Sequence, residues 1–308
     1  MINVGIAKVQ VSHVEQFIEY LSKVRNLSEN TLRSYQTDLL AFEQWCSREG
    51  VEVTKVDHRS LRLYLAYLKQ AQYSAKTLNR HLSALRGFYK WMQREKLIAT
   101  DPALALSNPR APRNLPHTMT DSDVNRLLES CDTSTAVGLR DRAFLEFLYA
   151  TGARISEVAT LKLEQIDLQN GTVRLFGKGS KERIVPLYES AIEWLKKYLW
   201  SSRPTLLLKD KTGRTHSALF ISVRGNDMSA DSLRKVFSSY LAASGLDSSL
   251  SPHAMRHTYA TELLGGGADL RIVQELLGHE SLSTTQVYTH LSVDRLKEAA
   301  KAAHPRSK

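Results

Sequence analysis

Four of the eight prolines in this 308-residue chain fall between Asp101 and Met119, at Pro102, Pro109, Pro112 and Pro116. Proline locks φ and has no N–H to donate, so no helix runs through such a stretch, and proline-rich connectors behave as semi-rigid spacers. The cluster predicts a first domain over residues 1–107, a linker over 108–118 and a second domain over 119–308. At roughly 150 residues per domain, the length also suggests two.

The first part reads as helical throughout. Leu32, Tyr35, Leu39, Phe42 and Trp45 recur at steps of three and four, after Ser28 as an N-cap and before Gly50 as a stop. Val14, Phe17, Ile18 and Leu21 form a similar stripe, as do Leu61, Leu65 and Leu68, and Leu78, Leu82, Leu85, Tyr89 and Met92 after Ser74. Four apolar stripes predict a four-helix bundle.

The polar faces of the last two helices carry an uneven charge. The whole chain is +10, and between Lys55 and Lys96 stand ten basic residues against only Asp57 and Glu95. With Tyr64, Tyr67, Tyr73 and Asn79 interleaved, this block offers cations for phosphates and groups able to touch bases. It predicts a DNA-facing surface with Arg59, Arg62, Lys76, Arg80, Arg86 and Lys90 as contacts; a plain solvated face is the alternative.

Composition narrows the field further. A chain with 42% hydrophobic and 24% charged residues has an ordinary globular make-up. Cys46 and Cys131 stand far apart with no C-x-x-C, so neither a disulfide framework nor a zinc knuckle is indicated, and both are expected as buried hydrophobes in a reducing compartment. No apolar run approaches the ~18 residues of a membrane span and the N-terminus lacks a signal-peptide core, which predicts a soluble cytoplasmic protein.

The second part is mixed. Helices are expected from Thr120 and over residues 141–149, the latter ending near Gly152. The β-prone runs 172–176 and 182–187 flank Gly177-Lys178-Gly179-Ser180-Lys181 and read as a hairpin with a basic tip. Further helices are expected over 188–200, 229–243, 251–264, 269–277 and 283–288.

Four segments in this part could carry chemistry. Thr151-Gly152-Ala153-Arg154-Ile155-Ser156-Glu157 sets an arginine fork after a glycine turn, where it can meet a phosphate or form a surface ion pair with Glu157. Lys178 sits between two permissive glycines. His253, Arg256 and His257 follow Pro252 at i, i+3 and i+4 of one helix; without a glutamate in an H-E-x-x-H arrangement or a completing acidic or cysteine ligand, a metal site is disfavoured. Leu277-Gly278-His279 is followed by Tyr288-Thr289-His290. There is no G-x-S-x-G elbow and no Walker A context around Lys178.

In this order the four segments resemble the tyrosine recombinase (phage integrase) family: T-G-x-R-x-S-E, a hairpin lysine, H-x-x-R, L-G-H and Y-T-H. The segment 177–183 and the ending Ala302-Ala303-His304-Pro305-Arg306 are similar to the XerC group of bacterial chromosome-dimer resolvases. The resemblance implies a mainly α (α+β) fold, with a four-helix SAM-like core-binding domain and a mostly helical catalytic domain holding a small antiparallel sheet. It implies Arg154, Lys178, His253, Arg256, His279 and Tyr288 as catalytic residues, with Glu157 supporting them and His257, Tyr259 and His290 in packing roles. Tyr288 would attack a DNA phosphate to give a 3′-phosphotyrosyl link, with no cofactor, metal or ATP needed. It also implies a tetramer on a double-stranded recombination site, two subunits with two of a related XerD-like recombinase, a possible FtsK-like DNA-translocase regulator, and a C-terminal helix, about residues 293–303, that docks on a neighbouring protomer. A type IB topoisomerase-like relaxation activity and a non-catalytic DNA-binding protein are the alternatives.

Overall fold

The computed structural model describes residues 12–25, 27, 29–107, 118–177, 181–214, 216–278 and 293–307. It divides into two compact units, Met1–Asn114 and Leu115–Lys308. Most of the expected linker, residues 108–117, lies outside the described residues, as do Ser28 and the segment 283–288.

Among the described residues the first unit holds four α-helices, α1 (His13–Lys23), α2 (Glu29–Arg48), α3 (His58–Gln70) and α4 (Ala75–Arg94). Three begin on side-chain caps that satisfy otherwise orphaned N–H groups. Ser12 and Glu15 form a reciprocal capping box on α1, Asp57 accepts from the Ser60 N–H at 2.7 Å on α3, and Ser74 accepts from the Thr77 N–H at 3.2 Å on α4. The apolar stripes meet in one core that includes Phe17, Leu39, Phe42, Leu61, Leu82, Phe88 and Met92. Tyr64 belongs to that core as well: it is fully buried. It therefore cannot touch a base as expected, because the inner stripe of α3 runs Leu61, Tyr64, Leu68 and leaves Leu65 only partly covered.

In the second unit, α5 (Asp121–Glu129) starts on a Thr120–Asp123 capping box. Helix α6 (Ala136–Thr151) is buried on almost every side and ends at Gly152, whose φ of 55° lies in the left-handed region. After the short α7 (Ile155–Ala159) comes a three-stranded antiparallel sheet, β1 (Ile166–Asp167), β2 (Thr172–Phe176) and β3 (Glu182–Pro186), in that spatial order. The expected hairpin is β2–β3, with Leu175 opposite Arg183 and Phe176 opposite Glu182.

The helix expected over 188–200 runs further. Helix α8 (Glu189–Lys197) passes through a π-helical turn, Tyr198–Ser202, into α9 (Arg203–Leu207). Pro204 has no N–H to offer the ladder, and the wider turn absorbs that break. It also seats Tyr198 inside, where its hydroxyl donates to the Leu219 carbonyl at 2.9 Å and accepts from the Ile221 N–H at 3.0 Å.

Helices α10 (Ala230–Ala243), α11 (Pro252–Gly265) and α12 (Leu270–Leu277) follow, capped by Ser229, Ser251 and Asp269. The last helix, α13 (Val293–Ala303), packs on β3, α11 and α12 of its own unit and buries Leu296, Ala300 and Ala303. Beyond it His304 is enclosed by the rings of Tyr188, Tyr149 and Tyr259, at 4.8, 4.9 and 5.7 Å between centroids. Arg306 then reaches Glu146, Nε to Oε1 at 3.3 Å. In the single chain the C-terminal helix is thus seated on its own unit.

Both cysteines are buried, and burial pushes each thiol up to about 12. No helix among the described residues is long and apolar enough to cross a membrane.

Candidate active site

Arg154 sits where α6 has ended and α7 begins. Gly152 makes the turn: a Cβ there would stand 2.5 Å from Tyr259 Cδ1, so glycine is required for space as well as for its positive φ. Arg154 is the N-cap of α7, and Glu157, three residues on, reaches back to accept from its backbone N–H at 2.8 Å and from its Nη1 at 2.9 Å. The Arg154 side chain remains 42% exposed, while that of Glu157 is 4% exposed.

A buried carboxylate with one half-exposed partner would be costly. The second partner is Arg183 on β3, whose Nη1 and Nη2 donate to Glu157 Oε1 and Oε2 at 2.9 and 2.6 Å. Burial works against the Glu157 charge, but the two arginines outweigh it and hold the carboxyl below its ordinary range. Each Glu157 oxygen accepts once from Arg183 and once from Arg154.

Arg256 lies on α11 with its neighbours His253 and His257. It is the buried member: its Nη1 donates to the Gly152 carbonyl at 2.6 Å and its Nη2 to the Leu277 carbonyl at 2.5 Å. Burial, with the nearby Arg154 and Arg183 charges, lowers it to about 10, which still leaves it a cation at neutral pH. His253 is exposed in the first turn of α11 and His257 is half-buried. Tyr259 is wholly buried behind Gly152.

Lys178, His279 and Tyr288 lie outside the described residues. The described neighbours of Lys178 and His279 approach the same centre. A Cβ on Gly177 would come 3.7 Å from Glu157 Oε1 and 3.9 Å from Arg154 Nη1, and one on Gly278 would come 3.2 Å from Arg183 Nη1. The structure therefore brings together Arg154, Glu157 and Arg256 with the residues that flank Lys178 and His279. Among the described residues no group of three or more His, Cys, Asp or Glu side chains could hold a metal ion.

Arg183 is the residue that pattern reading passed over, and the sequence did hold a signal for it. In β3, Arg183 and Val185 share the inward side, opposite the buried Leu175 and Val173. An arginine at an inward strand position must have a buried partner.

In the first unit, Arg59, Arg62, Lys76 and Lys90 are exposed, and so are Tyr67 and Tyr73. Arg80 and Arg86 are partly drawn inward. Arg80 Nη1 lies 2.8 Å from Asp38 Oδ1 and donates to the Ser34 carbonyl at 3.1 Å, and Arg86 donates to the Leu106 carbonyl. These two act at least in part as internal ties, because each has an anionic or carbonyl acceptor on a neighbouring segment. Asp38 is also 3.1 Å from His81 Nε2, and the His81 Nδ1 is 3.1 Å from the Tyr64 hydroxyl.

Comparison with known proteins agrees with this layout. Residues 117–295 match the phage integrase family and residues 14–96 the N-terminal SAM-like domain of phage integrases. The chain therefore belongs to the phage integrase family, the tyrosine recombinases. It is 41% identical over 302 residues to tyrosine recombinase XerC of Pelotomaculum thermopropionicum, covering 96% of this chain and 99% of the relative. It is also 41% identical over 293 residues to tyrosine recombinase XerD of Pseudomonas putida, covering 95% and 97%. The resemblance to the XerC group thus broadens to Xer recombinases of both names. Among solved structures, the XerH site-specific recombinase bound to a palindromic difH substrate in its post-cleavage complex aligns with a TM-score of 0.70 at 29% identity, covering 94% of this chain and 84% of that one.

Proposed function

We propose that the chain is a cytoplasmic site-specific recombinase that cuts and rejoins DNA at a recombination site and resolves chromosome or plasmid dimers at cell division. One observation carries the chemistry: Arg256 is tied to the carbonyl of Gly152, in the turn that presents Arg154, and to the carbonyl of Leu277, two residues before His279. This tie of Arg256 to the turn that presents Arg154 supports a reading in which both guanidinium groups hold one phosphodiester.

Tyr288 Oη attacks the phosphorus, a 3′-phosphotyrosyl bond forms and the bond to the 5′-oxygen breaks. Arg154 and Arg256 grip the non-bridging oxygens and offset the charge gained in the pentacoordinate transition state; a donor of this kind is typically worth about 2.7–4 kcal/mol. The Lys178 ammonium gives its proton to the departing 5′-oxygen, and His253 assists the phenol as base or hydrogen-bond partner. His279 donates to a phosphate oxygen, and Glu157 holds Arg154 in place. The tyrosyl ester stores the phosphodiester, so rejoining draws on neither ATP nor a metal.

The SAM-like unit grips the duplex through Arg59, Arg62, Lys76 and Lys90, with Arg80 and Arg86 at the inner border of that face, and the proline-rich segment 108–118 joins the units as a hinge. Recombination joins two duplexes at four active sites, so the working form is a tetramer on DNA, two of these subunits with two of an XerD-like recombinase, under an FtsK-like translocase. In that assembly the α13 helix moves onto a neighbouring protomer.

The test is covalent trapping on a nicked duplex carrying a chromosome-dimer-resolution site, with and without a second recombinase. A denaturant-stable protein–DNA adduct is expected, and its absence would refute the reading. Relaxation of a supercoiled plasmid that lacks a recombination site, without synapsis, would favour the topoisomerase-like alternative.

A further inference from the structure

The close approaches of Arg183 lead toward the catalytic centre from several sides. Its Nη1 and Nη2 clamp both oxygens of Glu157, its Nε donates to the Leu276 carbonyl at 2.8 Å, and its Cδ and Nη1 lie 3.2 Å from where a Cβ on Gly278 would stand. It is carried by β3, two residues beyond Lys181, whose carbonyl accepts from the Gly177 N–H at 2.8 Å and closes the base of the Lys178 tip. Its Nε, Nη1 and Nη2 all donate within the protein, so its place is to support the site and not to bind the phosphate.

The structure assigns Arg183 as the positioning residue that registers three separate catalytic elements: the Arg154 turn through Glu157, the Lys178 hairpin through its own strand, and the His279 turn through the end of α12. This deepens the recombinase reading given above and rests on it. The physical case is the fork geometry. A guanidinium can serve a carboxylate bidentately with one edge while its Nε serves a carbonyl on another element; a lysine ammonium is a point charge and cannot hold both directions in one plane. Displacing a reacting group by about 1 Å can cost on the order of a hundredfold in rate.

The informative variant is Arg183→Lys, which keeps a cation beside the buried Glu157. The full chain is assayed on the same nicked duplex, with its bridging 5′-oxygen intact or replaced by sulfur, and duplex binding is followed by fluorescence anisotropy. Expected are binding within about twofold of the unchanged chain and adduct formation slowed by roughly a hundredfold. The sulfur substrate, whose thiolate leaves unprotonated, should recover part of that loss, the part owed to a misplaced Lys178.

An adduct rate for Arg183→Lys equal to that of the unchanged chain would overturn the assignment, as would a rate that falls only in proportion to the folded fraction measured by circular dichroism. If Arg183→Lys fails to fold, the Glu157→Gln variant serves, since it retains the hydrogen-bond acceptor but loosens the same fork; unaltered adduct formation in Glu157→Gln would count equally against Arg183. Failure of the underlying reading looks different, because then the unchanged chain forms no adduct at all.

Discussion

The ring of His304 stands 4.8 Å from that of Tyr188, centroid to centroid, just past the end of α13. Tyr149 and Tyr259 close the cage, and Arg306, ion-paired to Glu146, stands at its edge. Burial, with a smaller contribution from Arg306, lowers His304 to about 4. Its unfolded value is near 6.5. A depressed imidazole favours the docked tail above the unfolded value, and that advantage drains away as pH falls from about 6.5 to about 4, with roughly 3 kcal/mol at stake. Thermal melts should therefore show the unchanged chain losing more stability between about pH 7 and pH 5 than His304→Phe does. Parallel losses in the two would disprove a part for His304.

Lys178→Ala should cleave slowly on ordinary DNA and near normally when sulfur replaces the bridging 5′-oxygen. Equal defects on both substrates would remove Lys178 from the acid role.

Tyr288→Phe should bind the duplex with unchanged affinity and leave no covalent adduct on a denaturing gel. A surviving adduct would mean that another side chain attacks.

Charge removal should separate the basic face into two groups. Replacing exposed Lys76 or Lys90 with alanine should reduce the salt slope of duplex binding by about 0.9 for each phosphate no longer neutralised, with little effect on melting. Arg80→Ala should lower the melting temperature as well, because it abandons Asp38, a carboxylate 2% exposed that burial has already raised to about 6. A flat slope for Lys76→Ala and Lys90→Ala would refute the DNA-facing assignment.

Gly152→Ala should destabilise the second unit by more than about 1 kcal/mol, since it adds a left-handed alanine to a direct clash with Tyr259. Because Arg256 hangs on the Gly152 carbonyl, adduct formation by the folded fraction should also slow. A normal rate per folded molecule would show that the arginine tolerates a shifted turn.

What could be read from the chain was local. The caps at Ser74 and Thr120, the stop at Gly152 and the β2–β3 hairpin each announce themselves within a few residues, and the order of motifs around Arg154, Lys178, Arg256, His279 and Tyr288 was enough to place the family. Tyr64 was misjudged because a tyrosine looks alike on either face of a helix until its neighbours' periodicity is weighed. The ties of Arg80 to Asp38 and of Arg183 to Glu157 join residues 42 and 26 positions apart, and nothing in a short window shows which of many arginines meets which carboxylate.

Two successive carbonyls at the end of α12, those of Leu276 and Leu277, are taken by Arg183 and Arg256. Main-chain oxygens are offered by any residue, so side chains along α12 are free to drift as far as these two bonds are concerned. The length of the helix is not. One residue inserted or deleted would swing both oxygens by about 100° around the axis, and two arginines would lose their anchorage in a single step.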